Sequence, residues 1–377
     1  AIMTKPSANI KVPQDFQVRY EIPEQSLANT LRLVIAYAGT GTNDPNAARE
    51  ISFISSMSTV GVHVVTLNAI SKLLLKVPET TSVSPTADLI NGANYDVSIV
   101  YQDRAGNNAA TSTVTNIEFD IVTDPPFIDG PASGNIKEEF TLTLRTTEDA
   151  MAGTMRVEIR PTSGDSAAIR VINFASVLDT AGTHSLAMAD LDELVSGNTN
   201  ITSVTPATNL VHMAEYIVTF VYRDAIENTE ATSNSLVMIH DRYTENPSLA
   251  LPATNTRFKA AFLIDFTLPE HALSDSVKMT FTRTNGTADS AADRVVVFAA
   301  NYRTAGQHND DEPMVRLSSA ASSVSFVKSV TPATDLVHMA QYTVVISYQD
   351  TAANTPAIAT TTGAIFDTVT ETPTLVS

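Results

Sequence analysis

Hydrophobic and polar residues alternate along much of the chain. Phe16, Val18 and Tyr20 lie on one side of an extended segment, with Gln17 and Arg19 on the other. This period of two predicts a half-buried β-strand, because successive side chains of a strand point to opposite faces. Two later segments show the same alternation, Phe140/Leu142/Leu144 and Phe262/Ile264/Phe266. Convincing helical periodicity is scarce, so the pattern predicts an all-β protein.

Further strands are predicted after each of these three segments, always in the same order. The second strands are predicted over residues 31–35, 155–159 and 277–281, the third over 51–53, 171–174 and 295–298, and the most regular ones over 95–101, 216–222 and 342–348. Turns are marked by Gly61, Gly182 and Gly306. About seven short strands in roughly 120 residues are typical of a two-sheet sandwich.

One phrase, Tyr-x-Val-x-x-x-Tyr-x-Asp-x-x-x-Asn, occurs three times, starting at Tyr95, Tyr216 and Tyr342. Its second Tyr recurs after 222 − 101 = 121 and 348 − 222 = 126 residues. A period of this length is a whole domain, so the chain is an array of similar modules. Other landmarks keep the same spacing: Arg49, Arg170 and Arg294 each precede a Phe by four residues, and Asp120, Asp241 and Asp367 close the units.

A short motif before each phrase resembles a known family. Leu89, Leu210 and Leu336 each stand six residues before the first Tyr of the phrase. This resembles the Leu-x-x-x-x-x-Tyr of a tyrosine corner, and the Asp-Arg-Ala-Gly-Asn at residues 103–107 is similar to a turn of bacterial Ig-like repeats. The resemblance implies that Tyr95, Tyr216 and Tyr342 are corner tyrosines whose hydroxyls bond back to the backbone. The chain lacks the Trp and the Cys pair of antibody-type domains.

The resemblance and the period together predict three tandem Ig-like (fibronectin-III-like) β-sandwich domains. We name them repeat 1 (residues 1–124), repeat 2 (125–246) and repeat 3 (247–372). Residues 373–377 are then the first strand of a further repeat or a donor strand. Tandem repeats of this kind occur in large extracellular surface proteins and pilus-like fibres, so the resemblance implies an extracellular location.

Charge and composition exclude several classes of function. The net charge of −18 in 377 residues argues against nucleic acid and anionic membrane surfaces as partners, since both require clustered Lys and Arg. The absence of Cys excludes disulfides, thiolate metal sites and a Cys nucleophile. No apolar run is long enough to span a membrane. The segment 1–6 lacks the apolar core of a signal peptide, so we expect either a mature sequence or one cut from something longer.

The motifs give no indication of catalysis. A nucleophile elbow, a phosphate-binding glycine loop and a zinc-binding helix are all lacking, so we expect a protein that is not an enzyme and that has no cofactor. Ca²⁺ prefers about six to eight oxygen ligands, and each phrase fixes only two, so a turn capped by its own Asp is the preferred interpretation. The calcium candidates are the pairs Asp103/Asn107, Asp224/Asn228 and Asp350/Asn354, with Asp120 or Asp124 as further ligands at the domain junction.

Two further motifs carry less information. Asn200 and Asn285 match the glycosylation acceptor pattern, but two matches in a Thr-rich chain are near chance. His63, His184 and His308 recur in Gly-x-His, but equivalent points of successive domains lie too far apart to share a metal ion. We therefore predict that these three histidines lie in turns or at strand starts.

The two ends of the chain suggest a function. Pro373-Thr-Leu375-Val376 falls in the same register as the starts of the repeats, and Ile2 lies in the corresponding strand of repeat 1. These are the candidate strand-exchange residues, because a surplus strand can complete a neighbour's sheet edge and so grow a head-to-tail filament. The predicted function is a structural subunit of a surface filament or pilus-like fibre whose partner is another copy of the chain. The alternative is a fragment of a long adhesin or stalk that binds a glycan or protein, with its ligand left open.

Overall fold

A computed structural model describes residues 1–68, 78–189, 191, 198–284, 289–291, 293–309 and 312–370. The fold is all-β, which confirms the prediction from the alternation, and the strands form three successive pairs of sheets. Each pair encloses its own hydrophobic core. Within these described ranges, no helix has the length and apolarity needed to cross a membrane.

Repeat 1 contains a three-stranded sheet (β1-β3-β6) packed on a six-stranded sheet (β2-β9-β8-β4-β5-β7). The strands are β1 (Ile2–Lys5), β2 (Lys11–Val12), β3 (Asp15–Ile22), β4 (Arg32–Gly41), β5 (Arg49–Phe53), β6 (Gly61–Asn68), β7 (Thr80–Ser84), β8 (Ala93–Tyr101) and β9 (Ala110–Phe119). A 3₁₀ helix covers Ser55–Ser58. Alternate residues of β3 are buried along its whole length, as the period of two predicts.

Repeat 2 follows the same plan, with sheets β10-β12-β15 and β11-β19-β17-β13-β14-β16, and β18 beside β17. The strands are β10 (Phe127–Gly130), β11 (Gly134–Lys137), β12 (Phe140–Thr146), β13 (Arg156–Ser163), β14 (Arg170–Phe174), β15 (Gly182–Met188), β16 (Ile201–Thr205), β17 (Ala214–Tyr222), β18 (Ala231–Thr232) and β19 (Leu236–Asp241). A 3₁₀ helix covers Ser176–Leu178.

Repeat 3 has sheets β20-β22-β25 and β21-β28-β27-β23-β24-β26. The strands are β20 (Ser248–Leu251), β21 (Arg257–Phe258), β22 (Asp265–Leu268), β23 (Lys278–Arg283), β24 (Arg294–Phe298), β25 (Gly306–His308), β26 (Val327–Thr331), β27 (Gln341–Tyr348) and β28 (Ala357–Phe366). The helices are two 3₁₀ turns, Ala300–Arg303 and Leu317–Ser319, and the short α1 (Ala320–Ser323).

One predicted strand in repeat 3 is shorter than its alternation suggests. Strand β22 begins only at Asp265, although Phe262 and Ile264 are buried. The backbone of Phe262 instead pairs with Met314 in an isolated bridge, with N–H···O distances of 2.8 and 3.2 Å. The long segment that contains Met314 thus takes the place of the strand partner, because a buried backbone needs hydrogen bonds whichever segment supplies them.

The start of each repeat belongs to both sheets. In repeat 1, β1 pairs antiparallel with β3, and the chain then crosses to the other sheet, where β2 runs parallel to β9. The same crossing occurs in repeat 2 with β11 on β19 and in repeat 3 with β21 on β28. The parallel pairing brings the first residues of each repeat next to its last strand, and therefore close to the linker that follows.

A buried ion pair joins two of the landmarks in each repeat. In repeat 1 the Arg49 guanidinium binds Asp44, and the Tyr95 hydroxyl donates to Asp44 Oδ2 at 2.7 Å. Tyr95 also accepts a hydrogen bond of 2.8 Å from the Ile90 backbone N–H. Burial alone would raise the pKa of Asp44, but hydrogen bonds from Arg49, Tyr95 and Asn46 outweigh it and lower that pKa to about 2. The corner Tyr is thus tied to both backbone and core.

The later repeats contain the same arrangement. Tyr216 and Tyr342 donate to Asp165 and Asp289 at 2.7 and 2.6 Å, and each accepts from the backbone N–H five residues before it. The partners of these two aspartates are Arg170 and Arg294. Asp44, Asp165 and Asp289 each stand five residues before the Arg, and this constant interval is a sequence signal for the ion pair that the apolar alternation does not reveal.

Candidate functional site: the junctions between repeats

The linker between repeats 1 and 2 is held by side chains of repeat 2. The Tyr222 hydroxyl donates to the Asp124 carbonyl oxygen at 2.8 Å, and the Asp124 backbone N–H donates to Glu148 Oε1 at 2.6 Å. The backbone N–H of Asp224 donates to Thr123 Oγ1 at 3.3 Å. Tyr222 and Asp224 are the second Tyr and the Asp of the repeated phrase. We call the linker-binding residues of repeat 2, Glu148, Tyr222, Asp224 and Asn228, its clasp.

The linker between repeats 2 and 3 is held in the same way. Tyr348 donates to the Glu245 carbonyl oxygen at 2.7 Å, and the Glu245 backbone N–H donates to Glu270 Oε1 at 2.6 Å. Thr244 Oγ1 donates to Asp350 Oδ2 at 2.7 Å. The clasp of repeat 3 therefore comprises Glu270, Tyr348, Asp350 and Asn354. Much of the repeated phrase is explained by this contact with the preceding linker.

Each clasp also gathers carboxylates. At the first junction Asp120, Glu148 and Asp224 are all buried, and one oxygen of each lies within 4.8 Å of the others. The ammonium of Lys11 binds two of them, at 2.8 Å from Asp120 Oδ2 and 2.9 Å from Glu148 Oε2. Burial would lower the pKa of Lys11, but these hydrogen bonds outweigh burial and raise it. Lys11 is therefore a firmly charged cation among three anions.

The second junction has the three equivalent carboxylates, and among the residues that the structure describes no Lys ammonium pairs with them. Asp241, Glu270 and Asp350 again have one oxygen each within 4.8 Å of the others, and both aspartates are fully buried. From the start of repeat 2, the side-chain amide of Asn135 places Nδ2 3.4 Å from Asp241 Oδ2 and 3.4 Å from Thr351 Oγ1. Burial, followed by the charges of Asp350 and Glu270, raises the pKa of Asp241 to about 7.

The strand ladders show that Lys11 and Asn135 occupy equivalent positions. Lys11 pairs with Glu118, two residues before Asp120, and Asn135 pairs with residue 239, two residues before Asp241. In repeat 3 this position is Arg257, which pairs two residues before Asp367 and donates to Asp367 Oδ2 at 2.8 Å. Repeats 1 and 3 thus carry a cation where repeat 2 carries a neutral amide.

The calcium candidates named from the sequence lie in capped turns. Asp224 and Asp350 accept hydrogen bonds of 2.9 and 3.0 Å from the backbone N–H groups of Asn228 and Asn354. Both aspartates also contribute to the carboxylate clusters, so the turn and the cluster share one residue. The side-chain amide of Asn228 additionally reaches Asp120 at 3.2 Å.

Repeat 1 contains the same clasp residues at its start. Asn107 donates its backbone N–H to Asp103 Oδ1 at 2.9 Å, and Tyr101 donates to Glu24 Oε1 at 3.4 Å. Asn107 is exposed here, whereas its counterpart Asn354 is buried and donates to Asp241 at the end of β19. Repeat 1 therefore has hydrogen bonds within its clasp, and its Asn is exposed to solvent.

The other residues singled out from the sequence lie away from the junctions. Ile2 is 62% exposed and pairs with Glu21 in the edge strand β1. Asn200 lies in a turn directly before β16. His63, His184 and His308 each place Nε2 2.7–2.9 Å from the carbonyl oxygen four residues earlier, in a turn that leads into a strand. Asn285, Pro373, Leu375 and Val376 lie outside the described residues.

Sequence reasoning missed the glutamates of the clasp. Glu148 and Glu270 follow Phe140 and Phe262 by eight residues, as Glu24 follows Phe16. This constant interval was a usable signal. The strands around this interval were predicted from their alternating apolar residues, and a charged residue at their end does not enter that pattern.

No family model matches the sequence, and no curated protein is significantly similar to it. Among solved structures, an I-band fragment of titin (I67–I69) is 8% identical, with 97% of this chain and 96% of that chain covered and a TM-score of 0.31. The FN1–FN3 domains of chicken CNTN1 are 10% identical, covering 94% and 96%, with a TM-score of 0.24. Drosophila N-cadherin EC1–4 is 10% identical, covering 96% and 74%, with a TM-score of 0.23. Such low values say nothing about function.

Proposed function

We propose that this chain is a structural protein of the cell exterior, in which Ig-like repeats are joined end to end by clasped linkers, and that it is not an enzyme. The observation that carries the proposal is the location of the buried charged residues. Among the described residues, every buried Asp, Glu and Arg belongs either to the buried Arg–Asp–Tyr arrangement or to a junction cluster. These groups stabilise domains and linkers.

We further propose that the chain is a subunit of a surface filament or pilus-like fibre in which copies join head to tail by strand donation. Two features support this. The sequence at 373–377 repeats the register of the first strands, and β1 occupies a sheet edge beside β3. A strand from another copy that displaces β1 would continue the array, because a head-to-tail contact of this kind does not close.

Electron microscopy of the purified chain tests the filament. Deletion of residues 373–377 and, separately, of residues 1–12 distinguishes the two ends. We expect regular filaments from the intact chain and their loss when the donating strand is removed. Single three-domain rods that neither deletion changes would contradict self-assembly.

The clasp of repeat 1 favours a second candidate function. Glu24, Tyr101 and Asp103 match the residues that hold a preceding linker in repeats 2 and 3. A further repeat of a longer stalk or adhesin would satisfy them as well as another copy would. Attaching an additional repeat before residue 1 should bury the exposed Asn107 and raise the melting temperature of repeat 1, whereas an unchanged repeat 1 would contradict this candidate.

A further inference from the structure

We propose that Asp241, Glu270 and Asp350 bind a divalent cation, Ca²⁺ by its ligand chemistry, at the junction between repeats 2 and 3, and that the Lys11 ammonium takes the place of this cation at the junction between repeats 1 and 2. This proposal holds whether or not the chains assemble into filaments.

A cluster of carboxylates is not evidence of a cation site by itself. The independent observation is that the equivalent carboxylates of the first junction hold a cationic group in the same structure. The Lys11 ammonium lies 2.8 Å from Asp120 and 2.9 Å from Glu148, the counterparts of Asp241 and Glu270. The geometry of the clasp therefore places oxygens around a positive charge, and the first junction shows where that charge lies.

The second junction lacks this charge because one residue differs. Asn135 occupies the ladder position of Lys11, so in the described part of this junction a neutral amide, 3.4 Å from Asp241 Oδ2, takes the place of the ammonium. Buried charges of like sign need a counter-charge, since burial removes the water that would otherwise screen them. The amide is also compatible with a metal ion, because an Asn carbonyl oxygen is a ligand that Ca²⁺ accepts.

The ligand chemistry selects the type of cation. The cluster supplies carboxylate oxygens, the hard ligands that suit Ca²⁺ and Mg²⁺, and the chain has no Cys to favour a softer metal. His212 is the nearest imidazole, but its Nδ1 already accepts a hydrogen bond of 3.1 Å from the Arg242 backbone N–H. Ca²⁺ tolerates irregular geometry and mixed mono- and bidentate carboxylates, whereas Mg²⁺ demands a near-ideal octahedron. A site assembled from two repeats favours Ca²⁺ for this reason.

The cation would link the repeats directly. Asp241 belongs to the end of repeat 2, while Glu270 and Asp350 belong to repeat 3. An ion held by all three therefore stiffens the junction, as Lys11 of repeat 1 does by binding both Asp120 of its own repeat and Glu148 of repeat 2. Because Lys11 is part of the chain, the first junction needs no ion from solution.

Reciprocal substitution tests the proposal in the full chain. Isothermal titration calorimetry with CaCl₂, near neutral pH and at about 0.15 M NaCl to screen non-specific binding, gives the stoichiometry. We expect one Ca²⁺ per chain, with a Kd of about 10⁻⁴–10⁻³ M, typical of extracellular modules. Asn135→Lys should abolish binding, and Lys11→Asn should create a second site, giving two Ca²⁺ per chain. Asn234→Lys, at an exposed position of repeat 2, is the matched control for added charge and should retain one Ca²⁺.

Two results would overturn the proposal. One is the absence of Ca²⁺ binding by the natural chain. The other is binding that Asn135→Lys leaves intact, which would locate the ion on the acidic surface elsewhere. If Asn135→Lys fails to fold by circular dichroism, Glu270→Gln replaces it, and unchanged Ca²⁺ affinity in that variant would count equally against the site. The gain of a site in Lys11→Asn does not depend on either variant.

Discussion

The two junctions have the same clasp but neutralise it differently. At the first junction the Lys11 ammonium lies among Asp120, Glu148 and Asp224, whereas at the second Asn135 occupies the position of Lys11. The linker contacts around the clusters are closely similar, with Tyr-to-carbonyl distances of 2.8 and 2.7 Å. One side chain therefore decides whether such a junction supplies its own cation. Junctions with one backbone geometry can thus have different electrostatic requirements.

The largest expected difference between the junctions is in their response to pH. The pKa of Asp241 is raised to about 7 by burial and then by Asp350, Glu270 and Glu245, and His212 lies 3.7 Å from it through Nδ1. In the unfolded chain this Asp titrates near 3.8. The folded state therefore binds the proton more tightly. The stability that protonated Asp241 contributes to the fold is fully present below pH 3.8 and is lost as the pH rises through about 7.

Calorimetric melting in EDTA between pH 5 and pH 8 measures this response. The transition that reports repeats 2 and 3 should move to lower temperature as the pH rises, and Asp241→Asn should remove most of that movement. A melting temperature of the natural chain that is constant over this range would contradict the electrostatic difference between the junctions.

The next largest effect concerns the Asn that ends the phrase. In repeat 3 the Asn354 amide donates to the Asp241 backbone oxygen, Asp241 Oδ1 and Asp350 Oδ2 at 3.0, 3.1 and 2.9 Å. Asn354→Ala should destabilise the junction by about 2–3 kcal/mol, because these bonds are buried and two involve carboxylates. Asn107→Ala in repeat 1, where the residue is exposed, should cost less than about 1 kcal/mol. Equal losses of stability in the two variants, measured by chemical denaturation, would show that the contact of Asn354 with Asp241 does not stabilise the junction.

Replacing Lys11 should make the stability of the first junction depend on Ca²⁺, as we expect for the second. The Lys11 side chain is 36% exposed, so solvent screening limits the loss for Lys11→Asn to about 1 kcal/mol in EDTA. Millimolar CaCl₂ should restore the melting temperature. Lys5→Asn, at an exposed position of β1, is the control and should show neither effect. If the Lys11→Asn variant and the natural chain have the same melting temperature in EDTA, the Lys11 ammonium does not stabilise the first junction.

The last expected effect, similar in size to that of Lys11→Asn, is one that both junctions share. Tyr222→Phe and Tyr348→Phe each lose the hydrogen bond to the linker carbonyl, at 2.8 and 2.7 Å. Each should cost about 1 kcal/mol in denaturant unfolding, with or without Ca²⁺. Tyr243→Phe, at a residue that is 55% exposed, serves as the control. Markedly unequal losses at Tyr222 and Tyr348 would mean that the two clasps are not equivalent.

Much of the fold was predictable from the sequence because alternation is local. The strands of Phe16 and Phe140 and the three Tyr-rich strands lie where the period of two places them. The short strand β2 and its counterparts were not predicted, since strands of two to four residues show too little periodicity. The strand at Phe262 was placed too early, because the segment around Met314 replaces its partner, and alternation cannot reveal a partner that is distant in sequence.

The junction chemistry was predictable only in part. The phrase made Asp224 and Asp350 visible as oxygen ligands, but each cluster draws its residues from two repeats. The equivalence of Lys11 and Asn135 is also hard to recognise in the sequence, because Lys11 is the fifth residue after Pro6 whereas Asn135 is the fourth after Pro131. Counting intervals therefore misaligns the two positions, and only the strand ladder pairs them correctly.

The most direct test of the account is a distance measurement across each junction, with and without Ca²⁺. The chain has no Cys, so spin labels attach only at introduced cysteines. Val62, Val177 and Ile358 are exposed in repeats 1, 2 and 3, and provide one pair for each junction. We predict a narrow distance distribution for the Val62–Val177 pair in both EDTA and CaCl₂, and for the Val177–Ile358 pair a distribution that is broad in EDTA and narrow in CaCl₂. Distributions that respond identically to Ca²⁺ at the two junctions would contradict the account.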